Sequence, residues 1–113
     1  MRWIAMVASL LILASANGGA AAQDATLALG ERIYLDKCEY CHGDGVQKGG
    51  TYVLQARYQD ALPALLTERT DLAPEYISAV LRTWTNGMAP FRPTEISDTE
   101  LEALVAFLTR NNE

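Results

Sequence analysis

Cys38-Glu39-Tyr40-Cys41-His42 holds both cysteines and the only histidine of the 113-residue chain. Three chemistries use such a cluster: thiol–disulfide exchange, structural zinc, and covalent attachment of a c-type haem. A thioredoxin-like Cys-x-x-Cys sits in a βαβ setting, and nowhere does this chain alternate apolar and polar residues long enough to make a sheet. Zinc takes four ligands. Cys41 and His42 are adjacent and crowd one tetrahedral centre, and the fourth ligand would have to be a carboxylate. Cys-x-x-Cys-His is the attachment signature of c-type haem. Cys38 and Cys41 would form two thioethers, and His42 would come to lie beneath the iron as an axial ligand. Haem c therefore fits the five residues best.

The motif needs an exported chain, and the N-terminus supplies the layout of one. In "MRWIAMVASLLILASANGGAAA" a single positive charge, Arg2, precedes an apolar run from Trp3 to Ala14 and a small-residue stretch ending in Ala22. That is the arrangement of a secretory signal peptide. The apolar run is shorter than the roughly 20 residues a membrane span needs. Residues 1–22 are expected to be a signal peptide cut at Ala22–Gln23, with Ala16–Asn17 the alternative site. Residues 23–113 would form one domain with no membrane span, located in the periplasm. The opposing possibility is a retained membrane anchor. Loss of Arg2 moves the formal charge from −5 to −6, since the leader contains no acid. So acidic a domain lacks the basic footprint of a nucleic-acid binder.

Outward from the motif the pattern is helical. "TLALGERIYLDK" has Leu27, Ile33 and Tyr34 at helix-compatible spacing and runs directly into Cys38. "GDGVQKGGT" has four glycines in nine residues and reads as loop. "QDALPALLTE" is expected to form a short helix capped by Asp60, with Pro63 in its first turn. "APEYISAVLRTW" places Ile77, Val80 and Leu81 on one face behind Pro74. In "SDTELEALVAFLTR", Ser97 with Glu100 makes a capping box. Leu101, Leu104, Val105 and Leu108 form its stripe, with Phe107 beside it. The expected fold is all-α, with about four helices around long irregular loops.

"TNGMAPFRPTEI" cannot be regular, because Asn86-Gly87 signals a turn and Pro90 and Pro93 each push the preceding residue toward extended geometry. It carries Met88. With no second histidine, and with Met1 and Met6 in the leader, Met88 is the only methionine of the expected mature chain. A lone methionine usually fills core gaps, but a loop offers little core to fill. Met88 is the expected sixth ligand, and His42 and Met88 together the iron-binding pair.

The segments "CEYCH", "GMAPF" and "SDTELEALVAFL" resemble those of class I c-type cytochromes of the small bacterial monohaem kind, over Leu27 to Arg110. The resemblance implies the class I cytochrome c fold and one covalent haem c bound by Cys38, Cys41, His42 and Met88. It implies that Gly30 and Tyr34 on the first helix cross Leu104 and Phe107 on the last. More narrowly, "RTDLAPEYISAVLRTWTNGMAPFRPTEISD" is similar to cytochrome subunits of flavin dehydrogenases of the p-cresol methylhydroxylase type. The chain departs from the family where a Gly-Pro usually follows the haem motif and the proline carbonyl accepts the histidine's N–H. "KGGTYVL" stands there instead, so a backbone carbonyl around Gly49 to Thr51 is the expected acceptor. By analogy, Tyr52, Tyr58, Trp84 and Arg57 are candidates to line the haem and meet its propionates. Tyr40 is expected at the surface, and Lys48 is a candidate replacement ligand at high pH.

These features imply a single-electron carrier rather than an enzyme. Its partners would be a dehydrogenase as donor and another cytochrome or an oxidase as acceptor. The competing expectation is a haem enzyme or ligand sensor in which Met88 is displaced.

Overall fold

The computed structural model of the protein describes residues 14–85 and 87–113, with side chains from residue 18 onward. The expected leader therefore lies outside the described residues as far as residue 13. Five α-helices follow in order: α1 (Ala14–Lys37), α2 (Glu39–His42), α3 (Gly49–Tyr58), α4 (Pro74–Arg82) and α5 (Asp98–Leu108). One 3₁₀ turn spans Leu66–Glu68, and no strand occurs among the described residues. The expected all-α fold is what forms.

α5 is the centre of the molecule. Its N-terminus carries the expected capping box: Ser97 N–H donates to Glu100 Oε2 at 2.8 Å, and Glu100 N–H donates to Ser97 Oγ at 3.3 Å. That satisfies two of the four N–H groups a helix start leaves unpaired. Leu101, Ala103, Leu104, Phe107 and Leu108 are buried. Phe107 thus belongs to the stripe, while Val105 sits at its edge, half-buried.

α1 packs across α5, and α4 also packs against α5. The α1–α5 crossing is close because Gly30 has no side chain. A Cβ there would collide with the Ala103 carbonyl oxygen and stand 2.7 Å from both the Ala103 carbonyl carbon and Phe107 Cβ. One turn on, the Tyr34 and Phe107 rings lie 5.7 Å apart, tilted by 45°, a favourable arrangement of aromatic quadrupoles. Both the implied glycine and the aromatic pair fall where the family resemblance placed them.

Three local expectations are corrected. Residues 23–25, read as a lead-in to a helix starting at Thr26, are already helical, since α1 spans Ala14–Lys37 of the described residues. The helix expected over Gln59–Glu68 does not form: Gln59 has φ 53°, which breaks the chain direction after α3, and Pro63 pushes Leu62 toward extended backbone. Only the Leu66–Glu68 turn remains of it. The glycine-rich loop is shorter than expected, since α3 starts at Gly49.

Candidate cofactor site

Cys38 lies between α1 and α2, and its N–H donates to the Tyr34 carbonyl at 2.9 Å, so the motif continues the line of α1. α2 is one turn long and delivers Cys41 and His42. Tyr34 Oη donates to the His42 carbonyl at 3.0 Å, tying the motif to the α1–α5 crossing. Gly45 takes φ 122° to turn the chain after the motif. Lys48 Nζ reaches back to Glu39 Oε1 at 2.9 Å, and Thr51 Oγ1 donates to the Gly43 carbonyl at 2.7 Å. Lys48 is thus engaged with Glu39 and does not line the cavity described below.

Both thiols are free. Cys38 is buried and Cys41 exposed. Burial, and secondarily the neighbouring Cys41, pushes the Cys38 thiol up to about 11. Burial also lowers His42 from its ordinary value, which favours the neutral imidazole, the form that ligates metal. Among the described residues no cluster of three or more His, Cys, Asp or Glu is arranged to hold a metal ion by itself.

His42 Nδ1 is buried with no hydrogen-bond partner, contrary to the expected carbonyl around Gly49 to Thr51. The reason is that those residues form the first turn of α3, where carbonyls run along the helix axis into the next turn. The ring meets Gly50 instead. A Cβ at Gly50 would lie 2.8 Å from His42 Cε1, 2.9 Å from Nδ1 and 2.8 Å from the Cys41 carbonyl oxygen. The imidazole is held by packing on glycine backbone rather than by an acceptor.

One cavity of about 890 Å³ brings the site together. Cys38, Cys41, His42 and Met88 all line it, with Leu54, Leu66, Leu72, Ile77, Val80, Leu81, Leu104 and Leu108 among its apolar walls. Its volume lies at the upper end of the ~300–1,000 Å³ usual for small-molecule sites. The four predicted ligands therefore converge, and Val80 is half-buried on α4 because it faces this space. Met88 reaches it from a tight turn: Met88 N–H donates to the Thr85 carbonyl at 2.8 Å, Thr85 N–H donates to the Met88 carbonyl at 3.3 Å, and Gly87 has φ 93°.

Of the residues expected beside the cofactor, Arg57 and Tyr58 line the cavity. Tyr52 and Trp84 do not; they are 67% and 71% exposed. Tyr40 is exposed, as expected. Arg69 was not foreseen. It lines the cavity at 6% exposure, the one buried charged residue among those described. Its guanidinium stands 4.9 Å from the Tyr58 ring centroid and binds Asp71 through Nε at 2.6 Å and Nη2 at 2.8 Å. That pairing raises Arg69 and lowers Asp71 from their ordinary values. The C-terminus holds this segment in place: Asn111 Nδ2 donates to the Thr67 carbonyl at 3.0 Å and Asn112 Nδ2 to the Leu72 carbonyl at 2.7 Å.

Residues 25–108 match the family model of the cytochrome c oxidase, cbb3-type, subunit III. The chain belongs to this family of c-type cytochrome domains. No curated protein and no solved structure matches the chain significantly. As a class I c-type cytochrome it is a haem-based electron-transfer protein, and family membership implies haem c as its cofactor. The residues present fit that group: a large apolar cavity, two free thiols and an imidazole at its wall, a thioether on the methionine turn, and a buried arginine able to meet acidic substituents. No helix among the described residues is long and apolar enough to cross a membrane.

Proposed function

We propose that the chain is a periplasmic monohaem cytochrome with one covalent haem, using Cys38 and Cys41 as thioether anchors and His42 and Met88 as axial ligands. The convergence of these four side chains on one cavity carries this reading. Bound haem supplies a one-electron ferric–ferrous couple. The chain's residues fix its environment. The anchors keep His42 in place, and the apolar walls limit water and so restrict the reorganisation that accompanies a change of charge. Met88 would supply the second protein ligand to the iron, and a methionine ligand raises the potential. That suits a carrier which accepts electrons from a dehydrogenase and passes them to another cytochrome or an oxidase. The similarity of residues 69–98 to cytochrome subunits of flavin dehydrogenases supports a flavin-dependent phenol-oxidising donor. The leader layout supports export. We assign Arg57 and Arg69, the two arginines that line the cavity, to the haem propionates: Arg57 from its exposed rim, and the buried Arg69 through the donors that its pair with Asp71 leaves free, since a charged donor binds a carboxylate strongly.

A redox titration of wild type, Met88→His and Met88→Ala, with spectra at each step, tests the reading. Met88→His should keep a low-spin six-coordinate spectrum at a markedly lower potential. Met88→Ala should open the iron to carbon monoxide. Three identical potentials and ferric spectra would exclude Met88 as ligand and favour a sensor or enzyme with an open site.

A further inference from the structure

Arg82 closes α4, and its guanidinium grips the far end of the methionine loop. Nη1 donates to the Phe91 carbonyl at 3.1 Å and to the Ile96 carbonyl at 2.9 Å, and Nη2 donates to Asp98 Oδ1 at 2.8 Å. These acceptors lie 9, 14 and 16 residues further along the chain. A second tie lies beside it: Phe91 N–H donates at 2.8 Å to the carbonyl of Leu81. That carbonyl is one of the last four of α4, which have no partner within the helix. The chain therefore leaves α4 at Thr83, carries Met88 through its turn, and returns to the same two residues, Leu81 and Arg82. Among the described residues no helix or strand lies between α4 and α5 to support the excursion. Beyond it, Ile96 is wholly buried and starts the approach to α5.

We propose that Arg82 is the positioning residue for the sixth ligand: by fixing the return of the loop it holds the Met88 thioether in the cavity. This rests on the reading of Met88 as a ligand. His42 is attached to a covalently anchored motif, whereas nothing covalent ties Met88 down. Its occupancy of the axial position depends on how tightly the loop is closed. Arginine suits the task because its planar fork donates to several oxygens in fixed directions, which an ammonium does not reproduce. Bonds from a charged donor are also stronger than neutral ones. Two plainer roles compete. A cation at a helix C-terminus is favoured by the helix dipole, and Arg82–Asp98 is a surface ion pair. The Asp98 side chain is 85% exposed, and such pairs contribute little.

The test uses the haem-loaded chain and the variants Arg82→Met, Arg82→Lys and Asp98→Asn. It reads the ferric absorption band of methionine ligation, carbon monoxide uptake by the ferrous protein, and amide hydrogen exchange at Phe91. Arg82→Met should lose the band and take up carbon monoxide while its helix content by circular dichroism persists. Phe91 exchange should rise by about tenfold or more, the scale of one lost charge-assisted bond. Arg82→Lys should be intermediate, and Asp98→Asn close to wild type. An Arg82→Met protein that keeps the band, refuses carbon monoxide and exchanges Phe91 at the wild-type rate overturns the proposal. So does an Asp98→Asn protein as impaired as Arg82→Met, because the ion pair would then carry the effect. Should Arg82→Met not fold, wild-type behaviour of Arg82→Lys in all three measurements is the overturning result. If wild type itself lacks the band and takes up carbon monoxide, the ligand reading fails, and Phe91 exchange still decides whether Arg82 holds the loop.

Discussion

Gly49 and Gly50 open α3 side by side, and their surroundings set them opposite tasks. A Cβ at Gly49 would meet nothing within 4 Å, whereas one at Gly50 would press on the His42 ring and the Cys41 carbonyl. Helix propensity alone favours alanine over glycine at either position by up to about 1 kcal/mol. Gly49→Ala meets no protein atom, although Gly49 also lines the cavity, and should therefore cost less in the unfolding midpoint of the haem-loaded protein than Gly50→Ala. Gly50→Ala should lower the midpoint and shift the potential, because the imidazole must tilt. Denaturant titration and redox titration of the two variants check this; equal midpoints, with the Gly50→Ala potential unchanged, would show that Gly50 does not seat the histidine. Such a role is invisible in the sequence, where Gly50 stands in a run that reads as turn. Cys38, Cys41, His42 and Met88 were legible for the opposite reason: scarcity. One histidine, and one methionine outside the expected leader, leave little choice of ligand. Arg69 was not legible, because arginine is seldom buried and only the fold shows that the C-terminal asparagines hold its segment against the cavity.

Among the elements, α4 and α5 could be read because each buries one face against the rest, and each has a start signal in Pro74 or Ser97–Glu100. α3 was missed. It has no fully buried residue, and the side chains it does cover face the cofactor cavity, so the protein core left no apolar stripe on it. The α1–α5 crossing came from family resemblance rather than from periodicity, and it makes a sharp prediction. Gly30→Val would drive three carbon atoms into the Ala103 backbone and the Phe107 Cβ, and main chain yields less readily than a flexible side chain. The expected loss is about 1–3 kcal/mol, read as a fall in the denaturant midpoint of the haem-loaded protein. Since Tyr34 on the same helix donates to the His42 carbonyl, the variant should also weaken the seating of the motif. An unchanged midpoint would mean that the two helices do not cross at Gly30.

At the scale of the whole molecule, the protein core and the cofactor site are one structure. Cys38, Leu72, Ile77, Leu81, Leu104 and Leu108 belong to the buried cluster and also line the cavity. Removing the cofactor would therefore remove the packing partner of half the core. The scale can be bounded. Residual cavities in protein cores cost about 24 cal/mol per Å³. For about 890 Å³ that would come to roughly 20 kcal/mol if all of it were enclosed, against the ~5–15 kcal/mol by which domains are stable. The site opens to solvent on one side, so only part of this applies, yet a third of it would absorb the stability of a domain this small. The chain made with Cys38→Ser and Cys41→Ser, and so without thioethers, is expected to lack fixed tertiary structure. Near-ultraviolet circular dichroism should be weak while some far-ultraviolet helical signal survives, the behaviour of a compact state without specific packing. α5 should retain most of that signal, since its capping box is local and does not depend on the cavity. The haem-loaded wild type should instead unfold in one cooperative step. A double-serine chain that unfolds cooperatively near the wild-type midpoint would show that the helices close on one another without the cofactor, and that the cavity walls are not half of a shared core.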